Sequence, residues 1–322
     1  MPEKYQGVLV RITELGEFGL IERVVARLVH RPAPLVGPGD DAAVVAAPDG
    51  RVVATTDVLV EGRHFRRDWA SAGDIGRRAA AANLADIAAM GAVPTALLVA
   101  LCAPVETEVG WVEELADGLA EEAGTAGAGV VGGDMSASPV LTIAVTALGD
   151  LEGREPVRRS GARPGDLLAL AGRVGYAAAG YTVLSRGFRT PKLLVEAYRH
   201  PEVRYAAGPQ AAGLGATSMI DVSDGLLADL GHLASASGVA IDVRTGAFEV
   251  PAQMRDAAGA LGVDPYAWIL GGGDDHALAA TFPAGTAVPE DWLVIGAVRE
   301  GSGVTVDGRP YETGPAGWDH FR

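Results

Sequence analysis

Lysine is almost missing from this chain: Lys4 and Lys192 are the only two in 322 residues. A P-loop and the strand lysine of protein kinases each need a lysine in a context that neither position offers, so both are excluded. Cysteine is reduced to Cys102, which rules out an intrachain disulfide and any multi-cysteine metal cluster and fits a reducing compartment. Positive charge is scarce in general, with 26 Lys and Arg against 41 Asp and Glu and a net charge of −15. Nucleic-acid affinity rests on concentrated Lys and Arg, so a binder of phosphate backbones is excluded. Long apolar runs are also lacking. The most apolar stretch, 79–105, is interrupted by Asn83, Asp86 and Pro94, and the first sixteen residues hold no apolar signal core, so the reading is a cytoplasmic protein with no membrane span. No Gly-x-Ser-x-Gly elbow occurs, and Cys102 sits in an apolar run as a small hydrophobe, so a covalent nucleophile is not indicated.

What is present is enough apolar material, 48%, for more than one core, and a length that favours two domains. The division is expected as 1–150 and 151–322. Leu20, Ile21, Val24, Val25 and Leu28 share a stripe at helical spacing, which predicts an amphipathic helix over 17–30. Two short apolar runs, 42–46 and 52–57, flank Pro48-Asp49-Gly50 and predict a hairpin. Helices are expected over about 73–89 and 106–126, and strands over 95–101, 129–131 and 140–148, the second ending in Gly132-Gly133-Asp134. This order reads as a mixed α/β (α+β) fold with a sheet layered by helices. The segment 149–166, with Arg154, Arg158, Arg159 and Arg163 among Gly and Pro, is expected to be a flexible interdomain connection. Beyond it, a strand at 167–171 and a helix at 176–185 precede an irregular polar excursion over 186–209. Strands at about 218–222, 239–243 and 277–281 and a helix at 226–236 follow.

Carboxylates recur beside glycine or at element ends: Asp40 and Asp41, Asp57, Asp86, Asp134, and Asp221 with Asp224. A single such site is ordinary turn chemistry. Together with Thr55 and Thr56 they offer oxygen ligands alone, which suits Mg2+, and converging carboxylates require cations to neutralise them. Gly132-Gly133 and Gly271 to Gly273 could present backbone N–H groups to phosphate, though glycine pairs are common in a chain with 44 glycines. Arg159 is a phosphate candidate through its bidentate fork, or a solvated arginine. His64, close behind the acidic strand, is within reach of a substrate. Trp318 is either a plug over the core or a flat face for an aromatic or cationic ligand.

The stretches Glu14 to Ile21, Gly39 to Val44, Thr55 to Phe65 (TTDVLVEGRHF), Asn83 to Pro94, Val131 to Asp134, Ser160 to Asp166, Ser218 to Leu226 and Gly317 to Phe321 (GWDHF) together resemble the thiamine-monophosphate kinase family. Several are shared across the aminoimidazole ribonucleotide synthetase-like superfamily, and the similarity spans nearly the whole chain. The resemblance implies ATP-dependent phosphorylation of thiamine monophosphate to thiamine diphosphate. It also implies an N-terminal α/β domain whose sheet pairs across a homodimer and a separate C-terminal α/β domain. By motif, Asp41, Thr55, Thr56, Asp57, Asp86, Asp134, Asp221 and Asp224 would hold several Mg2+ ions. Gly133 and Ser223 would lie on the nucleotide and Arg159 on its phosphates. His64, Asp274 and Trp318 would meet the substrate. Asp57, Arg159 and Asp221 are the expected centre of the chemistry. Where the family reads GGED followed by an aromatic, this chain has Gly272-Gly273-Asp274-Asp275-His276, a carboxylate one methylene shorter. Cys102 is not placed like the reactive residue of selenophosphate synthetase or the terminal cysteine of the hydrogenase-maturation protein.

Overall fold

The computed structural model describes residues 10–28, 34–35, 43, 45–312 and 317. Asp40, Asp41 and Trp318 lie outside the described residues. The chain divides into two compact units that interleave in sequence: residues 1–47, 54–83 and 94–148 form one, and residues 48–53, 84–93 and 149–322 form the other.

In the first unit, two short helices, α1 (Ile12–Leu15) and α2 (Glu17–Val25), precede strand β1 (Val53–Val60). Helix α3 (Ala72–Ala89) begins at a reciprocal cap, the Ser71 hydroxyl accepting from the Asp74 N–H at 3.1 Å and the Asp74 carboxylate from the Ser71 N–H at 3.1 Å. Alanines dominate its body, and Ala79, Ala80 and Ala81 are fully buried. Then come β2 (Val93–Ala103), α4 (Val109–Thr125), β3 (Gly129–Ala137) and β4 (Thr142–Asp150). The four strands form one sheet in the order β1-β4-β2-β3, with β2 and β3 parallel. Helices α3 and α4 cross with their backbones touching, because a Cβ on Gly76 would stand 2.2 Å from the Leu115 carbonyl and one on Gly118 2.1 Å from that of Gly73.

The second unit is built on a six-stranded mixed sheet ordered β10-β7-β9-β5-β8-β6. Its elements are β5 (Leu167–Ala171), α5 (Tyr176–Ser185), α6 (Lys192–Arg199), α7 (Ala207–Gly213), β6 (Ser218–Val222), α8 (Leu226–Ser237), β7 (Ala240–Val243), α9 (Ala252–Leu261), α10 (Pro265–Gly271), β8 (Ala277–Phe282), β9 (Trp292–Arg299) and β10 (Gly303–Val306). Strands β6 and β8 are buried at every position and pair antiparallel, so both faces of this end of the sheet are covered. The last turn of α3 also belongs here. A Cβ on Gly208 of α7 would stand 2.0 Å from the Ala88 carbonyl, and the Val157 N–H donates to the Met90 carbonyl at 3.0 Å.

Four local expectations are corrected. The hairpin is not formed within 43 and 45–57: the described residues before Val53 carry no strand, and β1 instead neighbours β4. Strand β3 does not end at Asp134 but runs on to Ala137, because the parallel pairing with β2 continues through Ala103. The 186–209 excursion contains α6 and the start of α7; Leu194, Val195, Ala197 and Tyr198 of α6 are buried, so a short amphipathic helix was hidden among its polar residues. The 149–166 connection is tied down rather than loose. The Met219 N–H donates to the Arg158 carbonyl at 3.1 Å, and the Ser237 hydroxyl donates to the Arg159 carbonyl at 2.9 Å while accepting from the Gly161 and Ala162 N–H groups.

Candidate active site

In the first unit, strand alternation sorts the acidic edge. Thr55, Asp57 and Leu59 share one face of β1, and Leu59 is buried. The Asp57 N–H donates to the Asn83 Oδ1 of α3 at 2.9 Å. Asn83 is fully buried and spends its amide N–H on the Ala79 carbonyl at 3.0 Å, so the side chain is fixed at both ends and fixes Asp57 in turn. Thr56 is on the opposite face, where its hydroxyl donates to the Val145 carbonyl at 3.0 Å and accepts from Thr146 at 3.2 Å. Asp134 is exposed on β3, in register with Ala100. At Gly133 a Cβ would stand 2.0 Å from the Val99 carbonyl, so only glycine allows β3 to pass β2 this closely.

His64 follows β1 in a tight turn. Its backbone N–H donates to the Val60 carbonyl at 3.0 Å, and its Nδ1 accepts from the Val60 N–H at 3.0 Å. With Nδ1 acting as acceptor, the neutral imidazole carries its proton on Nε2, and that edge is a hydrogen-bond donor.

In the second unit, two loops meet beyond the paired ends of β6 and β8. The Asp274 N–H donates to the Ser223 carbonyl at 2.8 Å and the His276 N–H to the Val222 carbonyl at 3.0 Å. A Cβ on Gly273 would stand 2.0 Å from that Ser223 carbonyl, so the third glycine of the run is required by the approach of the two loops. Gly317 joins them: a Cβ there would be 2.9 Å from the Asp224 carbonyl, which brings the start of the GWDHF motif to the first loop. Asp221 is 4% exposed, and its Oδ2 is 3.3 Å from His276 Nδ1. Burial alone would push the imidazole down, but the hydrogen bond and charge of Asp221, with Asp274 and Asp86 behind it, hold His276 above its ordinary value. Asp229, at the start of α8, accepts the N–H groups of Asp224 at 3.1 Å and Gly225 at 3.0 Å. Burial and then the neighbouring charge of Asp221 push its carboxyl up to about 7. Asp275 is 2% exposed and accepts the Ala177 N–H at 3.0 Å; burial pushes it, too, up to about 7.

This concentration of acid has a chemical reading. Asp86, Asp221, Asp224 and Asp274 raise the proton affinity of their neighbours, the mark of a negative field that a bound cation would relieve. The donors are oxygens, the set that suits Mg2+. Among the described residues no three of His, Cys, Asp and Glu already converge as a finished metal cage. Arg159 is exposed on the anchored segment, beside a cavity of about 580 Å³ whose walls include Arg154, Arg158 and Thr217. Sequence reasoning missed Asn83 as the residue that holds Asp57, and it missed Asp229 and Asp275 altogether. Asn83 could have been found, since it lies three residues before Asp86 on one helix face.

Residues 39–151 match the family described as AIR synthase related protein, N-terminal domain. A thiamine-monophosphate kinase of Mycobacterium tuberculosis is 48% identical over 312 residues, covering 96% of this chain and 93% of that protein. The chain belongs to the thiamine-monophosphate kinase family. Among solved structures, the family's enzyme from Stenotrophomonas maltophilia superposes with a TM-score of 0.81 at 34% identity, covering 92% of this chain and 98% of that one. A structure described as AaThiL complexed with AMPPCP and TMP superposes with a TM-score of 0.79 at 33% identity, covering 99% of this chain and 100% of the other. The fold is therefore that of the kinase family throughout both units, and no described helix is long and apolar enough to cross a membrane.

Proposed function

We infer that this chain transfers the γ-phosphoryl group of ATP to the phosphate of thiamine monophosphate, giving thiamine diphosphate and ADP. The observation that carries this is kinship with thiamine-monophosphate kinases over 96% of the chain, joined by structural likeness to a member bound to AMPPCP and TMP. The transfer is direct and in line, without a phosphoenzyme. The acceptor is already a phosphate anion and needs little general-base help, so catalysis rests on positioning and charge neutralisation, which explains how a kinase manages with two lysines.

Asp57, Asp86, Asp134, Asp221 and Asp224, with Asp41, Thr55 and Thr56, serve as Mg2+ ligands. Held there, Mg2+ would supply neutralisation of the phosphate charge. Asn83 keeps the Asp57 backbone in place. Gly133 and Ser223 lie along the nucleotide, and Arg159 contacts its phosphates. His64 donates from Nε2 to the substrate phosphate, while Asp274 and Trp318 meet its thiamine portion. Residues 1–150 supply Asp41, Thr55, Thr56, Asp57, Asp86, Gly133 and Asp134 together with the dimer contact, and residues 151–322 add Arg159, Asp221, Ser223, Asp224, Asp274 and Trp318, in the cytoplasm. The homodimer is supported by the first sheet, where the apolar side chains of Val58 and Leu98 are 47% and 37% exposed. Solution scattering tests it through the molecular mass.

Incubation with MgATP and thiamine monophosphate, followed by chromatography, is expected to yield thiamine diphosphate. Binding of both ligands without product would replace the kinase by a non-catalytic sensor.

A further inference from the structure

Asp275 has no part in the chemistry above, yet its surroundings are those of a residue under demand. It sits between two residues in the left-handed region, Asp274 at φ 67° and His276 at φ 52°. Aspartate and histidine enter that region more readily than most non-glycine residues, and here the surrounding structure holds both of them in it. Two restraints come from β6 and its loop, through the Asp274 and His276 N–H groups. Asp275 supplies the third from the other side. Its Oδ1 accepts the Ala177 N–H at 3.0 Å, and the Gly175 N–H lies close enough to favour its charge. These are orphan donors at the start of α5, a ten-residue helix whose own N-cap, Gly175, has no side chain to offer. The cap arrives from 98 positions away.

Packing does not ask for an acid here. Burying a carboxylate is costly, and Asp275 Oδ2 finds no hydrogen-bond partner among the described residues, although Arg173 is within electrostatic reach. An apolar side chain would fill the space without that cost. What the acid contributes is the acceptor that ties the loop to α5.

We propose that Asp275 is a positioning residue for substrate recognition: by clamping the Gly272 to His276 loop onto the N-terminus of α5, it holds Asp274 where the thiamine end of the substrate is met. The inference rests on the reading of Asp274 as a substrate contact given above. The effect belongs to binding of thiamine monophosphate rather than to the phosphoryl transfer, since Asp275 touches neither the metal ligands nor the nucleotide residues through any hydrogen bond described.

The test compares Asp275→Ala, Asp275→Asn and Asp274→Ala in steady-state kinetics, alongside hydrogen exchange at the Ala177 amide. Asp275→Ala is expected to raise KM for thiamine monophosphate by about tenfold, with kcat and KM for ATP within about twofold. Ala177 exchange should quicken. Asp275→Asn keeps an acceptor oxygen, so KM should return to within about threefold of wild type with Ala177 still protected. A raised KM in Asp274→Ala beside an unchanged one in Asp275→Ala overturns the positioning role alone; unchanged values in both overturn the Asp274 contact as well. Lower kcat per total protein at constant KM marks Asp275 as merely structural and also overturns it. Should Asp275→Ala not fold, the Asn variant decides: a raised KM despite slow Ala177 exchange refutes the clamp.

Discussion

Asp229 offers a measurement in which the sign and size of an effect both follow from the structure. Its carboxyl is 3% exposed, accepts two backbone N–H groups, and is pushed from an ordinary 3.8 up to about 7, by burial first and the charge of Asp221 second. A carboxyl whose folded pKa exceeds its unfolded value holds its proton more tightly in the fold. Stability is therefore greatest below the unfolded value and declines as pH rises, until the folded value is passed. Over the window from 3.8 to about 7, at about 1.4 kcal/mol per pH unit, the wild-type side chain forfeits about 4 kcal/mol. Asp229→Asn removes that dependence while its amide oxygen can still accept from Asp224 and Gly225. Urea unfolding from about pH 4 to about pH 8, with a chelator present so that no divalent ion masks the acids, should show the variant gaining on wild type by about 4 kcal/mol across the range. Asp275 titrates over the same window, so the variant keeps that share of the slope and the double Asn variant loses both. Parallel stability curves for wild type and Asp229→Asn would refute the reasoning.

The first unit gives three further predictions. Asp57→Asn is expected to lower kcat/KM by at least about tenfold, equivalent to about 1.4 kcal/mol, and steady-state kinetics at saturating Mg2+ check it. Asn83→Ala removes the acceptor of the part-buried Asp57 N–H, costing about 1–3 kcal/mol in thermal or urea unfolding, with kcat falling alongside. Gly133→Ala drives a Cβ into the Val99 carbonyl, where neither backbone can yield; a stability loss of about 1–3 kcal/mol with weakened ATP binding by calorimetry is expected.

Periodicity and end signals made much of this fold legible. The strand at 167–171 and the helix at 176–185 were read to the residue, because each is bounded by glycine or a polar break. Elements whose pattern is set by partners rather than by their own sequence were harder. Strand β3 runs past Asp134 because β2 offers it a continuous parallel edge, a long-range fact that a glycine pair and an acid disguise as a turn. Helix α6 is short and partly polar, so its buried stripe of Leu194, Val195, Ala197 and Tyr198 was concealed. At the site, the oxygen-rich chemistry was visible in composition, whereas the supports were not. Asn83, Asp229 and Asp275 act through backbone N–H groups, and nothing in a linear sequence says which amide a distant side chain will meet.

The interleaving of the two units bears on how the chain is born. Synthesis runs from the N-terminus, and domains generally fold as they emerge. Here the final turn of α3 emerges early but completes its packing only with segments made much later. Ile87 and Ala88 are fully buried, with Ile87 packed so closely on Gly149 that a Cβ there would be 2.3 Å from it, and Ala88 lies against Gly208 of α7. Until α7 has left the ribosome that apolar turn has no permanent cover. Nascent chains halted near residue 150 would therefore display a sticky helix end, a handle for chaperones and a seed for aggregation. A fragment beginning at 151 would suffer the mirror-image defect, lacking the 48–53 and 84–93 segments that complete its unit.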